Sequence, residues 1–177
     1  MSSGKIHKKA TTGLALLSTP LLLWCAVNVR EAIIFIIPGI LLGILITPDL
    51  DIDHRIVSHR VMRNVFGRIF GYYWYYLWHS YSIAFTHRSM WSHAPFIGTL
   101  VRLTFLVFPP IIVLFRNQQT SLSKFATYLL ISTLLALPIA GALFVLVFVL
   151  QLNIIFFVFA VLGLMLADAL HFIMDII

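Results

Sequence analysis

Long apolar runs alternate with short polar segments along the chain, and this pattern predicts membrane-spanning helices. The runs cover residues 10–29, 32–46, 96–115, 125–150 and 154–177. A helix that crosses a bilayer needs about 20 predominantly apolar residues, and most of these runs approach that length. We therefore expect an all-α integral membrane protein, a small bundle of four to five spans.

The second apolar run contains Gly39 and Gly43, which form a G-x-x-x-G pattern. Glycines at this spacing let the backbone of another helix approach closely. Glycine is also common in membrane helices without such a role, and that alternative stays open.

Residues 47–95 form a long polar insertion between the second and third runs. It contains an aromatic block, Phe70 to Trp78, close to Arg63 and Arg68. Tyrosine and tryptophan favour the membrane–water interface, where the ring is buried and the polar atom is hydrated. We expect residues 61–85 to form a helix in the headgroup layer, the alternative being an ordinary helix packed against the bundle.

Composition supports a single membrane-embedded domain, residues 1–177. The chain is 61% hydrophobic and only 10% charged, whereas about one-quarter of the residues in a soluble domain are charged. Its net charge of +6 lies mostly in residues 5–9 and 55–88. Basic charge beside spans indicates a cytoplasmic face in contact with membrane lipids, not nucleic-acid binding.

Half of the six acidic residues lie just after the second run, at Asp49, Asp51 and Asp53. Carboxylates at the edge of a bilayer are costly unless a cation compensates them. The candidates are a metal ion and the nearby arginines. The alternative is a solvated acidic cap that pairs with Arg55 or Arg60.

The segment H-R-S-M-W-S-H places His87, Arg88 and His93 before the third run. Neutral histidine is a common ligand of zinc, iron and manganese. The planar guanidinium of Arg88 suits a phosphate or carboxylate partner. Interfacial histidines that only form hydrogen bonds are the alternative.

Near the end of the last run, Asp168, His171 and Asp175 have the spacing i, i+3 and i+7, so they share one helix face. Ionisable residues inside an apolar membrane helix indicate a functional site, here a metal site. One carboxylate could instead orient His171. His7, just before the first run, is a further candidate ligand.

Four short motifs occur in order: S-G-K-x-H, P-D-L-D, H-R-x-x-x-S-H and H-x-x-x-D. Together they resemble the membrane-bound metal-dependent hydrolases of the YdjM type in bacterial inner membranes, and small metal-binding membrane proteins of cyanobacteria and other bacteria. The resemblance implies seven metal-site positions: His7, Asp49, Asp51, His87, His93, His171 and Asp175.

A single site poses a topological problem. If residues 125–150 and 154–177 both cross the membrane, His171 lies about 30 Å from Asp49. Pro138 suggests a solution, because it could break 125–150 into a re-entrant hairpin. The last helix would then run back towards the acidic loop.

We expect metal-dependent hydrolysis of a phosphate ester of a lipid or lipid-linked substrate, with one or two zinc, manganese or iron ions. Arg88 and Arg60 would hold the phosphate oxygens. The alternative is a non-catalytic metal-binding or metal-translocating membrane protein. A translocating protein needs polar residues across the membrane, and we expect the middle of each span to lack charge.

Overall fold

The computed structural model describes residues 4–28, 31–52, 56–115, 121–149, 151 and 153–176, and within them it contains helices and no strand. The all-α prediction is confirmed. The helices are α1 (Gly4–Asn28), α2 (Ile36–Leu42), α3 (Val57–Phe66), α4 (Arg68–Ala84), α5 (Met90–His93), α6 (Pro95–Val107), α7 (Leu122–Phe144) and α8 (Ile154–Ile176). Short 3-10 segments cover Glu31–Phe35, Pro48–Asp51 and Pro109–Phe115, and a π-helical segment, Val145–Val149, follows α7.

Three helical segments in the described part of the chain are long and apolar enough to cross a membrane: Lys5–Val27, Leu122–Phe148 and Ile154–Ile176. The sequence pattern predicts four to five. The difference lies in the second and third runs, whose apolar helices are only Glu31–Leu42 and Pro95–Val107. The 13 residues of Pro95–Val107 span about 20 Å, less than the hydrocarbon thickness of about 30 Å.

The backbones of α2 and α8 are in direct contact through glycines. A methyl group at Gly39 would overlap the Ala160 carbonyl, and one at Gly43 would overlap the Ala167 side chain. The close approach predicted from G-x-x-x-G is therefore confirmed. Because residue numbers increase together in the two contacts, α2 and α8 run in the same direction, so their C-terminal ends lie at the same end of the bundle.

The predicted re-entrant hairpin at Pro138 is wrong, because α7 continues through this proline. Proline removes one backbone hydrogen bond from a helix, but neighbouring groups can compensate within a bundle. Here the Tyr73 hydroxyl donates to the Leu135 carbonyl, beside the position where Pro138 lacks an N–H. No hairpin is needed to solve the topological problem, since α8 is already parallel to α2.

The predicted interfacial helix over residues 61–85 is instead a helical hairpin. It consists of α3 and α4, joined at Gly67, whose φ of 95° suits glycine. One face of α4 is packed into the bundle: Leu77, Trp78 and Tyr81 are at most 1% exposed. This face of α4 is therefore an ordinary helix face packed against the bundle, which was the alternative to a helix in the headgroup layer.

A buried ion pair connects α6 to α8. The Arg102 guanidinium binds the Asp168 carboxylate and also donates to the Ser92 carbonyl, while the Thr99 hydroxyl donates to Asp168. Arg102 and Asp168 are at most 1% exposed. The expectation that the middle of each span lacks charge is wrong for residues 96–115, because Arg102 lies among them.

Replacing Gly39 or Gly163 by alanine should separate α2 from α8, since either new methyl group would overlap backbone atoms of the other helix. We expect each variant to lose about 1–3 kcal/mol of unfolding free energy, measured by thermal unfolding in detergent. Gly141→Ala is the matched control, because its methyl group would meet no atom within 4 Å. Equal stability of all three variants would contradict the glycine contact.

Arg102→Met should leave the Asp168 carboxylate buried without its charged partner. Breaking such a pair costs about 3–5 kcal/mol, so we expect a large fall in thermal stability. The double variant Arg102→Met/Asp168→Leu removes both charges and should recover much of the loss. A double variant as unstable as the single one would show that the pair itself is not responsible.

Candidate metal centre

The centre lies where four parts of the chain meet. The start of α1 brings His7, and the turn after α2 brings Asp49 and Asp51. The segment leading into α5 brings His87 and His93, and the end of α8 brings His171 and Asp175. These are the seven positions implied by the four motifs. Contacts of 3.5 Å or less link them in two sets: His7, Asp49, His171 and Asp175 form one, and Asp51, His87 and His93 form the other.

Within the described residues, these seven side chains form three overlapping groups of possible ligands. In each group the ligand atoms lie within 4.8 Å of one another. The groups are His7 with His171 and Asp175, Asp49 with His93 and His171, and Asp51 with His87 and His93. Since His171 belongs to two groups and His93 to two, the seven residues form one continuous cluster.

The distances around His171 fit a bound ion. Its Nε2 lies 3.5 Å from an Asp49 oxygen and 3.5 Å from an Asp175 oxygen. His7 Nε2 lies 3.3 Å from the other Asp175 oxygen. Two ligands of a tetrahedral ion with bonds of about 2.1 Å lie about 3.4 Å apart. These donors are thus spaced as ligands of a single ion would be.

Two buried imidazole nitrogens support the same interpretation. The Nε2 atoms of His93 and His171 are buried and have no hydrogen-bond partner among the described residues. The contacts of His171 with carboxylates are at 3.5 Å, too long for a well-formed hydrogen bond. Buried polar atoms are normally satisfied, and a metal ion is one partner that would satisfy both.

Asp51 has a different role from the donors around His171, because its oxygens are already hydrogen-bonded. It binds His87 Nδ1 at 2.8 Å, the Arg88 backbone N–H at 3.1 Å and the Ser92 hydroxyl at 2.7 Å. His93 Nδ1 lies 3.2 Å from the same carboxylate. A carboxylate behind one imidazole nitrogen fixes the ring and leaves the other nitrogen for an ion.

Both acidic-loop carboxylates described here are held in the charged form. Burial raises the pKa of Asp51, but its contacts with His93, His87 and Ser92 outweigh this and the pKa falls below the ordinary value. Burial likewise raises the pKa of Asp49, but the neighbouring His171, together with His7 and His93, outweighs this and the pKa falls below the ordinary value. Ionised carboxylates are the form that binds cations. Asp53 and Arg55, which belong to the predicted acidic cap, lie outside the described residues.

The structure separates the two arginines predicted to hold phosphate. Arg88 lies at the edge of the cluster, with its guanidinium 3.5 Å from Asp175 and its side chain 40% exposed. Its φ of 65° is unusual for a residue other than glycine, and the Asp51 carboxylate binds its backbone N–H. Arg60 instead lines a different pocket, between α3 and α4. It is therefore not positioned with Arg88.

Asp168, also predicted as a metal position, is not in any of the three ligand groups found among the described residues. Its carboxylate binds Arg102 and Thr99. Arg102 and Ser92 are not among the site residues predicted from the sequence. Arg102 could have been found as a charged residue within an apolar run, and Ser92 as part of the H-R-x-x-x-S-H motif.

A small cavity adjoins the buried side of the cluster. Its volume is about 20 Å³, and its lining includes His7, Asp49 and His171. A cavity of this size holds roughly one water molecule or one ion. The cavity thus has room for an ion beside the donors, but not for a substrate molecule.

Comparison with known proteins agrees with this chemistry. A family model described as uncharacterized metal-binding protein (DUF2227) matches residues 2–177. This match supports metal binding, but it does not support assignment to the YdjM-type hydrolases. No curated protein and no solved structure matches the chain significantly. Because the family model covers nearly the whole sequence, the chain belongs to the DUF2227 family of uncharacterized metal-binding proteins.

Proposed function

We propose that this protein is a membrane-bound hydrolase that uses a divalent ion to cleave a phosphate ester of a lipid or lipid-linked substrate. The reaction would take place at the cytoplasmic surface of the inner membrane. One observation carries the proposal: a cluster of histidines and aspartates lies beside an exposed arginine, at the end of the bundle where α1 begins and α8 ends.

His171 and four donors near it form the best-supported ion site. The four are His7, Asp49, His93 and Asp175. The same nitrogen, His171 Nε2, faces both Asp49 and Asp175, so the two groups that share His171 describe one coordination sphere. Mixed nitrogen and oxygen donors suit zinc, manganese or iron. A second ion at Asp51, His87 and His93 would have to displace the hydrogen bonds of Asp51.

The aspartate donors are more exposed to solvent than the histidine donors. The His7, His93 and His171 side chains are 5–8% exposed, whereas Asp49 and Asp175 are 21% and 14% exposed. The carboxylate side therefore faces outward, next to Arg88. A bound divalent ion lowers the pKa of a coordinated water to near neutrality, which supplies a hydroxide nucleophile.

Arg88 would bind the substrate phosphate. Its guanidinium can donate two parallel hydrogen bonds to phosphate oxygens, and more strongly as negative charge develops on them. Asp51 holds the Arg88 backbone, and Asp175 lies beside the guanidinium at 3.5 Å. These contacts would keep the arginine next to the ion and aim it at the outer, open side of the cluster.

A non-catalytic metal-binding role is the second candidate, and burial favours it. The side chains of His7, His93 and His171 are almost completely shielded from solvent. The cavity that adjoins the cluster has a volume of only about 20 Å³. A site that binds an ion without turning over substrate needs no larger space. Both candidates require the ion, so they differ in activity and not in metal content.

Protein purified in mild detergent should retain about one zinc, manganese or iron ion per chain, measured by elemental mass spectrometry. His171→Ala and Asp175→Asn should each lower the bound metal roughly tenfold or more, since each removes a donor. Glu31→Gln is the matched control, because Glu31 is an exposed acid outside the cluster. Full metal content in His171→Ala would refute the ion site.

Arg88→Gln should lower kcat/KM for phosphate release from phosphatidate or an isoprenyl phosphate by about 100-fold. Metal content should stay unchanged, because Arg88 is not a donor. Arg88→Lys keeps the charge but loses the planar fork, so its activity should be intermediate. Lys9→Gln, an exposed charge on α1, is the control. Metal-loaded wild type that releases no phosphate with zinc, manganese or iron would favour the non-catalytic role.

A further inference from the structure

A second polar site lies between α3 and α4, formed by residues that do not belong to the metal centre. Arg60 and Arg63 of α3 and Arg68 of α4 line a pocket of about 170 Å³. The described residues that line it include no carboxylate. Within the described part of the chain, none of these arginines pairs with an acidic side chain. Among the described residues, the pocket therefore concentrates positive charge with no acidic side chain paired to it.

The geometry of the hairpin brings these charges together. Arg60 and Arg63 are three residues apart, so they lie on the same face of α3. The backbone of α4 at Gly71 packs directly against Arg63, where any larger residue would overlap its Cα and Cβ. Arg68 and Tyr72 are four residues apart on α4 and share the opposite wall. The pocket thus lies in the crevice of the packed hairpin, with the three arginines exposed at its rim.

The tip of the same hairpin is strongly apolar and open. Val65, Phe66, Ile69 and Phe70 are 66%, 54%, 82% and 53% exposed. Large apolar side chains grouped on a surface mark a protein or membrane contact. Arginines beside such a group are typical of segments that insert into the headgroup layer of anionic membranes.

We propose that this pocket binds the phosphate of an anionic membrane lipid, with the apolar tip inserted beside the acyl chains. Phosphate suits the pocket because each guanidinium can bind two phosphate oxygens at once. A lipid suits it better than free phosphate because four exposed apolar side chains adjoin the arginines. This site goes beyond the proposed hydrolase, since it requires neither the ion nor catalysis. It also gives Arg60 a role apart from Arg88.

The test measures binding of short-chain phosphatidate to the full protein in non-ionic detergent, by calorimetry. Arg60→Gln/Arg63→Gln/Arg68→Gln should weaken binding at least about tenfold, since it removes several charge-assisted hydrogen bonds. Lys5→Gln/Lys9→Gln/Lys124→Gln removes the same charge from exposed lysines and should change the affinity less than about twofold. Unchanged metal content and thermal stability would show that each variant is folded.

Two further ligands decide the identity of the bound group. Phosphatidylcholine of the same chain length should bind much more weakly, because its headgroup has no net charge. Inorganic phosphate should bind weakly as well. Equal affinity for inorganic phosphate would overturn the lipid assignment, and equal loss in the lysine control would overturn the pocket. Metal-free protein, prepared with a chelator, should bind phosphatidate at this pocket with the same affinity, because the pocket arginines do not need the ion. Failure of the metal site and failure of this pocket are therefore distinguishable.

Discussion

The contact between the α2 and α8 backbones determines where the donor side chains meet. Gly39 and Gly163 place the two backbones in direct contact, and Gly43 makes room for the Ala167 side chain, so the two helices pack closely in parallel. Their C-terminal ends are then adjacent, so Asp49, just beyond α2, reaches His171 on α8. The remaining donors are added to this pair: α1 brings His7, and the segment before α6 brings His93.

Local spacing allowed much of the site to be predicted, but it gave no information about partners far away in the sequence. His171 and Asp175 are one helical turn apart and do lie together, as expected. Asp168 is two turns from Asp175, about 10.5 Å along the axis, so the two cannot share an ion although they lie on one face. The partner of Asp168 is Arg102, which is 66 residues earlier. Helical periodicity identifies a shared face, whereas depth along the helix and the neighbouring helix determine the partner.

The topology was the weakest part of the prediction for a related reason. Hydropathy measures the length of an apolar run, but it does not show where the helix within that run ends. The run 96–115 contains α6 and then a 3-10 segment, Pro109–Phe115, so its helix is shorter than a span. Pro138 predicted a break, but α7 continues through it, and the nearby Leu135 carbonyl accepts a hydrogen bond from Tyr73 of α4. At Pro138 the outcome depends on packing against α4, which no local sequence signal reveals. The end of α6, in contrast, comes just before Pro109 and Pro110, a local signal that hydropathy does not register.

The joining of α1 to α8 has a consequence for biosynthesis. His7 lies in the first described helix and Asp175 in the last, and their side chains are 3.3 Å apart. The coordination sphere therefore cannot be completed on the ribosome until α8 has been translated and inserted. An ion held by both helices would close a loop that runs from His7 to Asp175, and links that close long loops restrict an unfolded chain most. Metal loading would thus be the last step of maturation, and the bound ion would stabilise the assembled bundle by connecting α1 to α8.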